Sequence, residues 1–73
     1  MNAEQIVLDA IFDLTGKKAV VSDEIADFFD SLSLVEFAIT LGDKIDDDSI
    51  FESHEFFSSR TILDIVRVVE SKM

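Results

Sequence analysis

Apolar residues recur at three- and four-residue spacing in three separate stretches of this chain, and no proline interrupts any of them. That spacing is the period of an α-helix with one buried face, so it restricts the fold to helices packed on helices. In residues 2–14, Ala3, Ile6, Val7, Ala10, Ile11 and Leu14 form one stripe. Asn2 is a good N-cap with Gln5 in the capping-box position, and Gly16 stands where a helix often stops. Leu8 and Phe12, one turn apart, make a second ridge for a long loop to cover. The last helix is expected to start near Thr61. There Ile62, Ile65, Val66, Val69 and Met73 share a face, and Asp64 complements the helix N-terminus. Its β-branched content also suits a strand. The spacing, the cap and the lack of any partner strand decide for a helix.

The middle stretch, residues 31–45, has two faces. At about 100° per residue, Leu34, Phe37, Ala38, Leu41 and Ile45 gather on one arc, which is the core face. Leu32, Val35 and Ile39 form a separate apolar stripe, with Glu36 and Asp43 beside it. A helix with one buried face does not require that second stripe. It packs on the preceding loop or a neighbouring helix, or it is a mixed apolar–acidic docking strip for a partner with a groove and a basic rim. Gly42 either ends this helix or marks a close approach to its backbone.

Between these helices the period is lost. In residues 15–30, Val20 and Val21 followed by Ser22-Asp23-Glu24 suit a short helical turn. Phe28 and Phe29 are expected to plug the bundle, because a loop this long needs apolar anchors. Residues 50–58 suit a short helix or an irregular turn, capped by Ser49 with Glu52 or by Ser53 alone. Ile50, Phe51, Phe56 and Phe57 are its candidate anchors. The expected fold is all-α: one domain over residues 1–73, a small bundle of three long helices and one short, with a long loop between the first two.

At 73 residues the core is near the lower limit for holding without staples, and with no cysteine neither disulfides nor thiolate metal sites assist. Sixteen acids against six bases give a net charge of −10. Such a field repels phosphate backbones and anionic lipid and favours basic partner surfaces, so neither nucleic acid nor membrane is expected as a partner. The N-terminus lacks a basic, apolar and small-residue leader pattern, and no apolar run reaches membrane-spanning length. A soluble, cytoplasmic monomer is the expectation.

Catalytic raw materials are thin. There is one histidine, no cysteine, no tyrosine and no glycine-rich phosphate loop. A serine nucleophile would need a base beside it, and His54 lies among Glu52, Ser53 and Glu55, which reads as a surface or turn histidine. Carboxylate pairs are too common in so acidic a chain to carry weight, and a domain this small has little room for a closed pocket. The expectation is a protein that is not an enzyme by itself. Asp46-Asp47-Asp48 fails the calcium-loop pattern, since Ile50 and Phe51 fall where ligands should be. A solvated turn is the better reading, with a divalent-cation site ranked third among the functions considered.

One feature of the middle helix is left over: Ser31, between Asp30 and an apolar run that opens the helix. It is either an N-cap or a modification site. Ser33 with Glu36 makes a better capping box, which would leave Ser31 in the loop just before the helix with its hydroxyl exposed.

Asp30-Ser31-Leu32 opening the second helix, followed by Val35-Glu36, resembles the phosphopantetheine attachment motif of acyl carrier proteins. The resemblance covers essentially all 73 residues, with Ser33 to Phe37 continuing the family's helix-two pattern and Phe57 to Val69 its third-to-fourth helix segment. It implies that a phosphopantetheinyl transferase attaches the 4′-phosphopantetheine of coenzyme A to Ser31, with Asp30 assisting. The arm's thiol would then carry an acyl or aminoacyl thioester. It also implies that Leu32, Val35, Glu36 and Ile39, with Asp43 beside them, face acyl-loading and acyl-processing enzymes through basic docking surfaces. The chain departs from the pattern in three places. Phe28-Phe29 leads straight into Asp30 where a Leu-Gly element is common, the first loop is short, and Gly42 and Lys44 stand at positions that are often acidic. These departures favour a specialised fatty-acid or polyketide-type pathway. The alternative is an unmodified acidic helical module that docks a basic partner through helix two.

Overall fold

Each helix starts and stops where a particular group satisfies its free backbone ends. The computed structural model describes residues 2–73, with the side chains of Asp48 and Phe51 left aside. The anchoring expected of Phe51 and the ligand role considered for Asp48 therefore lie outside the described residues. Helix α1 runs Ala3–Thr15. Asn2 accepts the Gln5 N–H at 2.8 Å, but the Gln5 amide turns forward to Asp9, so the expected box is only half formed. Gly16 ends the helix at φ 71°, its N–H reaching the Phe12 carbonyl at 2.8 Å.

Helix α2 runs Ser31–Ile45, straight through a buried Gly42. It stops at Asp46, which adopts the left-handed conformation at φ 55°, and the Asp47 N–H bonds the Gly42 carbonyl at 2.9 Å. A 3-10 turn, Asp48–Glu52, follows. Its cap is Asp47, which accepts the Ser49 N–H at 2.9 Å, and not the expected Ser49–Glu52 pair. Ser53 does cap the short α3, His54–Phe57, by accepting the Phe56 N–H. Helix α4, Ile62–Lys72, opens on a reciprocal box between Thr61 and Asp64. The fold is a compact all-α bundle of three long helices and one short, with a loop between α1 and α2. The Cα radius of gyration, 10.5 Å, is close to the roughly 11 Å typical for this length.

The core closes around Phe37. Its ring stacks on Phe29 with centroids 4.5 Å apart, and Phe56 lies tilted against it at 5.7 Å. Loop, α2 and α3 thus meet in one aromatic cluster, which is the plug expected of Phe28-Phe29: Phe29 is buried and Phe28 is partly buried against the core. Phe57 stays 40% exposed, its ring edge-on to Phe56. The α1 stripe is buried as its spacing predicts from Ala3 to Ile11, with Leu14 partly buried against the core. Helix α4 buries Ile62, Ile65, Val66 and Val69 but also Val68, because it contacts α1, α3 and the 3-10 turn before α3. Met73 does not join that face. It lies beyond the last helical residue and is 61% exposed.

The loop between α1 and α2 is held from α4. The short turn expected at Val20–Glu24 is not helical; its place is taken by a turn closed by Asp23 N–H to the Val20 carbonyl, at 3.0 Å. The helical turn comes later, a 3-10 turn at Ile25–Asp27. An antiparallel bridge joins Glu24 to Thr61. Around it, Ile25 N–H donates to the Arg60 carbonyl, while Ile62 and Leu63 donate to the Asp23 and Val21 carbonyls at 3.0 and 2.9 Å. Two free N–H groups at the start of α4 are therefore satisfied by the loop, which a reading of each segment alone does not reveal. The loop covers the second ridge of α1 incompletely: Leu8 is partly buried and Phe12 remains 48% exposed. Among the described residues no helix is long and apolar enough to cross a membrane.

Candidate functional site

Asp30, not a serine, caps α2. Its Oδ1 accepts the Leu32 N–H at 3.1 Å, the Ser33 N–H at 2.9 Å and the Ser33 hydroxyl at 2.9 Å. The Ser33 hydroxyl oxygen also accepts the Asp30 N–H at 2.9 Å, completing a capping box. The expected box between Ser33 and Glu36 is not formed, because Ser33 is already engaged by the stronger acceptor one turn earlier. Hydrogen bonds to the ionised form hold the Asp30 carboxyl below its ordinary value, chiefly the one from the Ser33 backbone and then that from the Ser33 hydroxyl.

This leaves Ser31 at the first helical position, neither cap nor loop. It is exposed, and among the described residues its hydroxyl makes no hydrogen bond. A hydroxyl at that position stands at the positive end of the helix dipole, which favours an added anion, while the Leu32 and Ser33 N–H groups are already taken by Asp30.

Ser31 also lies on the wall of a groove of about 530 Å³. Ile25, Ala26, Phe29 and Leu34 supply its apolar lining, and Glu24, Asp30, Ser59 and Arg60 its polar one. The groove exists because the Glu24–Thr61 bridge brings the first loop against the segment before α4. Arg60 sits opposite Glu24, with its guanidinium 3.4 Å from the carboxylate. Sequence reasoning did not find Glu24, Ile25 or Arg60 as neighbours of Ser31. Nothing in their spacing announces it, since the contact joins segments 36 residues apart.

On the remaining surface of α2 the second stripe stays open. Leu32 is 84% and Ile39 51% exposed, Val35 is partly buried, and Glu36 and Asp43 are exposed. Leu32 therefore packs on neither the loop nor another helix. At roughly 100° per residue these five residues span about 100° of the helix, on the side away from the buried Phe37, Ala38 and Leu41. Lys44 turns instead to α1, with its ammonium 3.0 Å from the Asp13 carboxylate.

His54 is exposed at the first residue of α3. Of the acidic run, Asp46 ends α2 and Asp47 caps the following turn, where the Ser49 bonds hold its carboxyl low. Among the described residues no group of three or more His, Asp or Glu side chains is arranged to hold a metal ion. Comparison with protein-family models, curated proteins and solved structures finds no match to this chain.

Proposed function

We propose that the chain is a carrier protein: Ser31 bears a 4′-phosphopantetheine arm whose thiol holds acyl or aminoacyl groups as thioesters for partner enzymes. The observation that carries this reading is the exposed, unengaged Ser31 hydroxyl at the first position of α2, beside an open groove. In the attachment step the serine oxygen bonds the phosphorus of the pantetheine phosphate. The pyrophosphate P–O bond to the nucleotide part of coenzyme A breaks, and the serine proton passes to a base of the transferase. Hydrogen bonds from Ser33 hold the Asp30 carboxyl below its ordinary value and so favour the carboxylate form that a metal-assisted transferase would need from it. The phosphodiester that results is an anion at a helix N-terminus, where it is favoured.

The stripe of Leu32, Val35, Glu36, Ile39 and Asp43 is the surface by which transferase, loading and processing enzymes would dock. Exposed apolar residues flanked by acids match a partner groove with a basic rim. With Lys44 paired to Asp13 and Gly42 buried, the stripe is narrowly acidic, which suits a specialised fatty-acid or polyketide-type pathway. A second reading rests on the same exposure of Leu32 and Ile39: an unmodified acidic module that binds a basic partner through α2.

The test is incubation of the folded protein with coenzyme A and a broad-specificity phosphopantetheinyl transferase. Intact mass should rise by one arm, and Ser31→Ala should abolish the rise. No adduct on folded wild-type protein would refute the carrier reading and leave the interaction module.

A further inference from the structure

The groove beside Ser31 has a single base among its lining residues, and the carrier reading as stated gives it no task. We propose that Arg60 is the anion-binding residue of this groove, and that it exchanges Glu24 for the phosphodiester formed on Ser31. This rests on the carrier reading and adds to it a cation that recognises the arm's phosphate.

Three observations support the exchange. First, Arg60 is weakly committed. Its bond to Glu24 is long for a charge-assisted pair, at 3.4 Å, and the two side chains are 83% and 51% exposed. A guanidinium has five N–H donors, and a phosphodiester offers two unesterified oxygens suited to bidentate binding. Second, the competing acid on the same wall is occupied: Asp30 accepts three hydrogen bonds at the start of α2, so its charge is directed into the helix end. Third, the chain holds six bases against 16 acids, and Lys44 is already paired with Asp13. A new negative charge on Ser31 would find only Arg60 as a base in its groove.

The exchange has a structural consequence. The backbone ties between the loop and the start of α4, Ile25 to Arg60 and Ile62 to Asp23, do not involve the guanidinium. Attachment of the arm would therefore release the side-chain tie across the groove and keep the bridge. The groove lip at Glu24 becomes free while the fold stays closed.

The experiment compares apo protein with protein whose arm carries only a free thiol, with arm attachment established by intact mass. Nitrogen-15 NMR follows the Nε–H group of Arg60, with Arg67 on α4 as the internal reference, and phosphorus-31 NMR follows the arm. The expected result is a displaced Arg60 Nε–H signal that exchanges more slowly with water, an unmoved Arg67 signal, and a phosphorus resonance that differs between wild type and Arg60→Gln. Glu24→Gln should move the Arg60 signal in the apo protein and leave the phosphorus response intact. If mass shows no arm, the carrier reading falls and this inference with it. If the arm is present but Arg60 Nε–H stays put and Arg60→Gln leaves phosphorus unchanged, the inference alone is overturned. A response seen only after loading a carboxylate-bearing acyl group would also overturn it, assigning Arg60 to the cargo instead.

Discussion

Asp30 has two separable tasks, and two substitutions tell them apart. As N-cap of α2 its carboxylate accepts the Leu32 and Ser33 N–H groups and the Ser33 hydroxyl. Asparagine can keep the acceptor at this position, whereas alanine cannot. Loss of an N-cap costs about 1 kcal/mol, and in a domain of this size that is a fall of about 4–8 °C in Tm. Asp30→Ala is therefore expected to lower Tm by about that amount, while Asp30→Asn stays near wild type. Both variants also remove one of 16 acids, which offsets a little of the loss by easing self-repulsion. Thermal unfolding followed by far-ultraviolet circular dichroism gives the difference directly.

The pH dependence supplies a second check. The carboxyl of Asp30 is lowered in the folded state by its bonds to Ser33 and Leu32. A group lowered on folding contributes stability above its unfolded value and loses it as pH falls through the folded value. The advantage of wild type over Asp30→Ala should thus be present at neutral pH and shrink below about pH 4. Under the carrier reading, Asp30→Asn should fold normally yet accept the arm more slowly. A Tm for Asp30→Ala equal to wild type at pH 7, or a difference that grows on acidification, would refute the capping argument.

Other outcomes follow from the same contacts. Gly16→Ala should destabilise by about 1 kcal/mol through backbone strain alone, because φ is 71° and no atom lies within 4 Å of an added Cβ; urea titration measures this. Asp46→Gly should stabilise by a similar amount, about 1 kcal/mol, relieving a left-handed aspartate and removing an acid from a helix C-terminus. Phe37→Ala, at a fully buried ring touching Phe29 and Phe56, should cost about 3–5 kcal/mol, read as a lowered urea midpoint. Moderate salt or magnesium should raise Tm by screening a net charge of −10; an unchanged Tm would make self-repulsion unimportant.

Periodicity and caps are local, and what they govern could be read from the chain alone. The 3–4 spacing of apolar residues sets the three long helices, because a helix turn brings those positions together whatever lies beyond. The start of α4 near Thr61, with Asp64 in its first turn, follows in the same way. So does the division of α2 into a buried arc and a second stripe, although only the assembled bundle shows that no helix covers Leu32. The cap of α2 is local as well, but two boxes were open to Ser33: it pairs with Asp30, three residues before it, and Ser31 becomes the first residue of the helix. The tertiary structure decided the rest. Gly42 did not end α2, since a stop was available at Asp46 and the bundle buries the glycine. The groove beside Ser31 depends on Glu24, Ile25 and Arg60 meeting through backbone bonds between segments without period. Such contacts form only when the chain closes on itself, and the residues that make them leave no pattern along it.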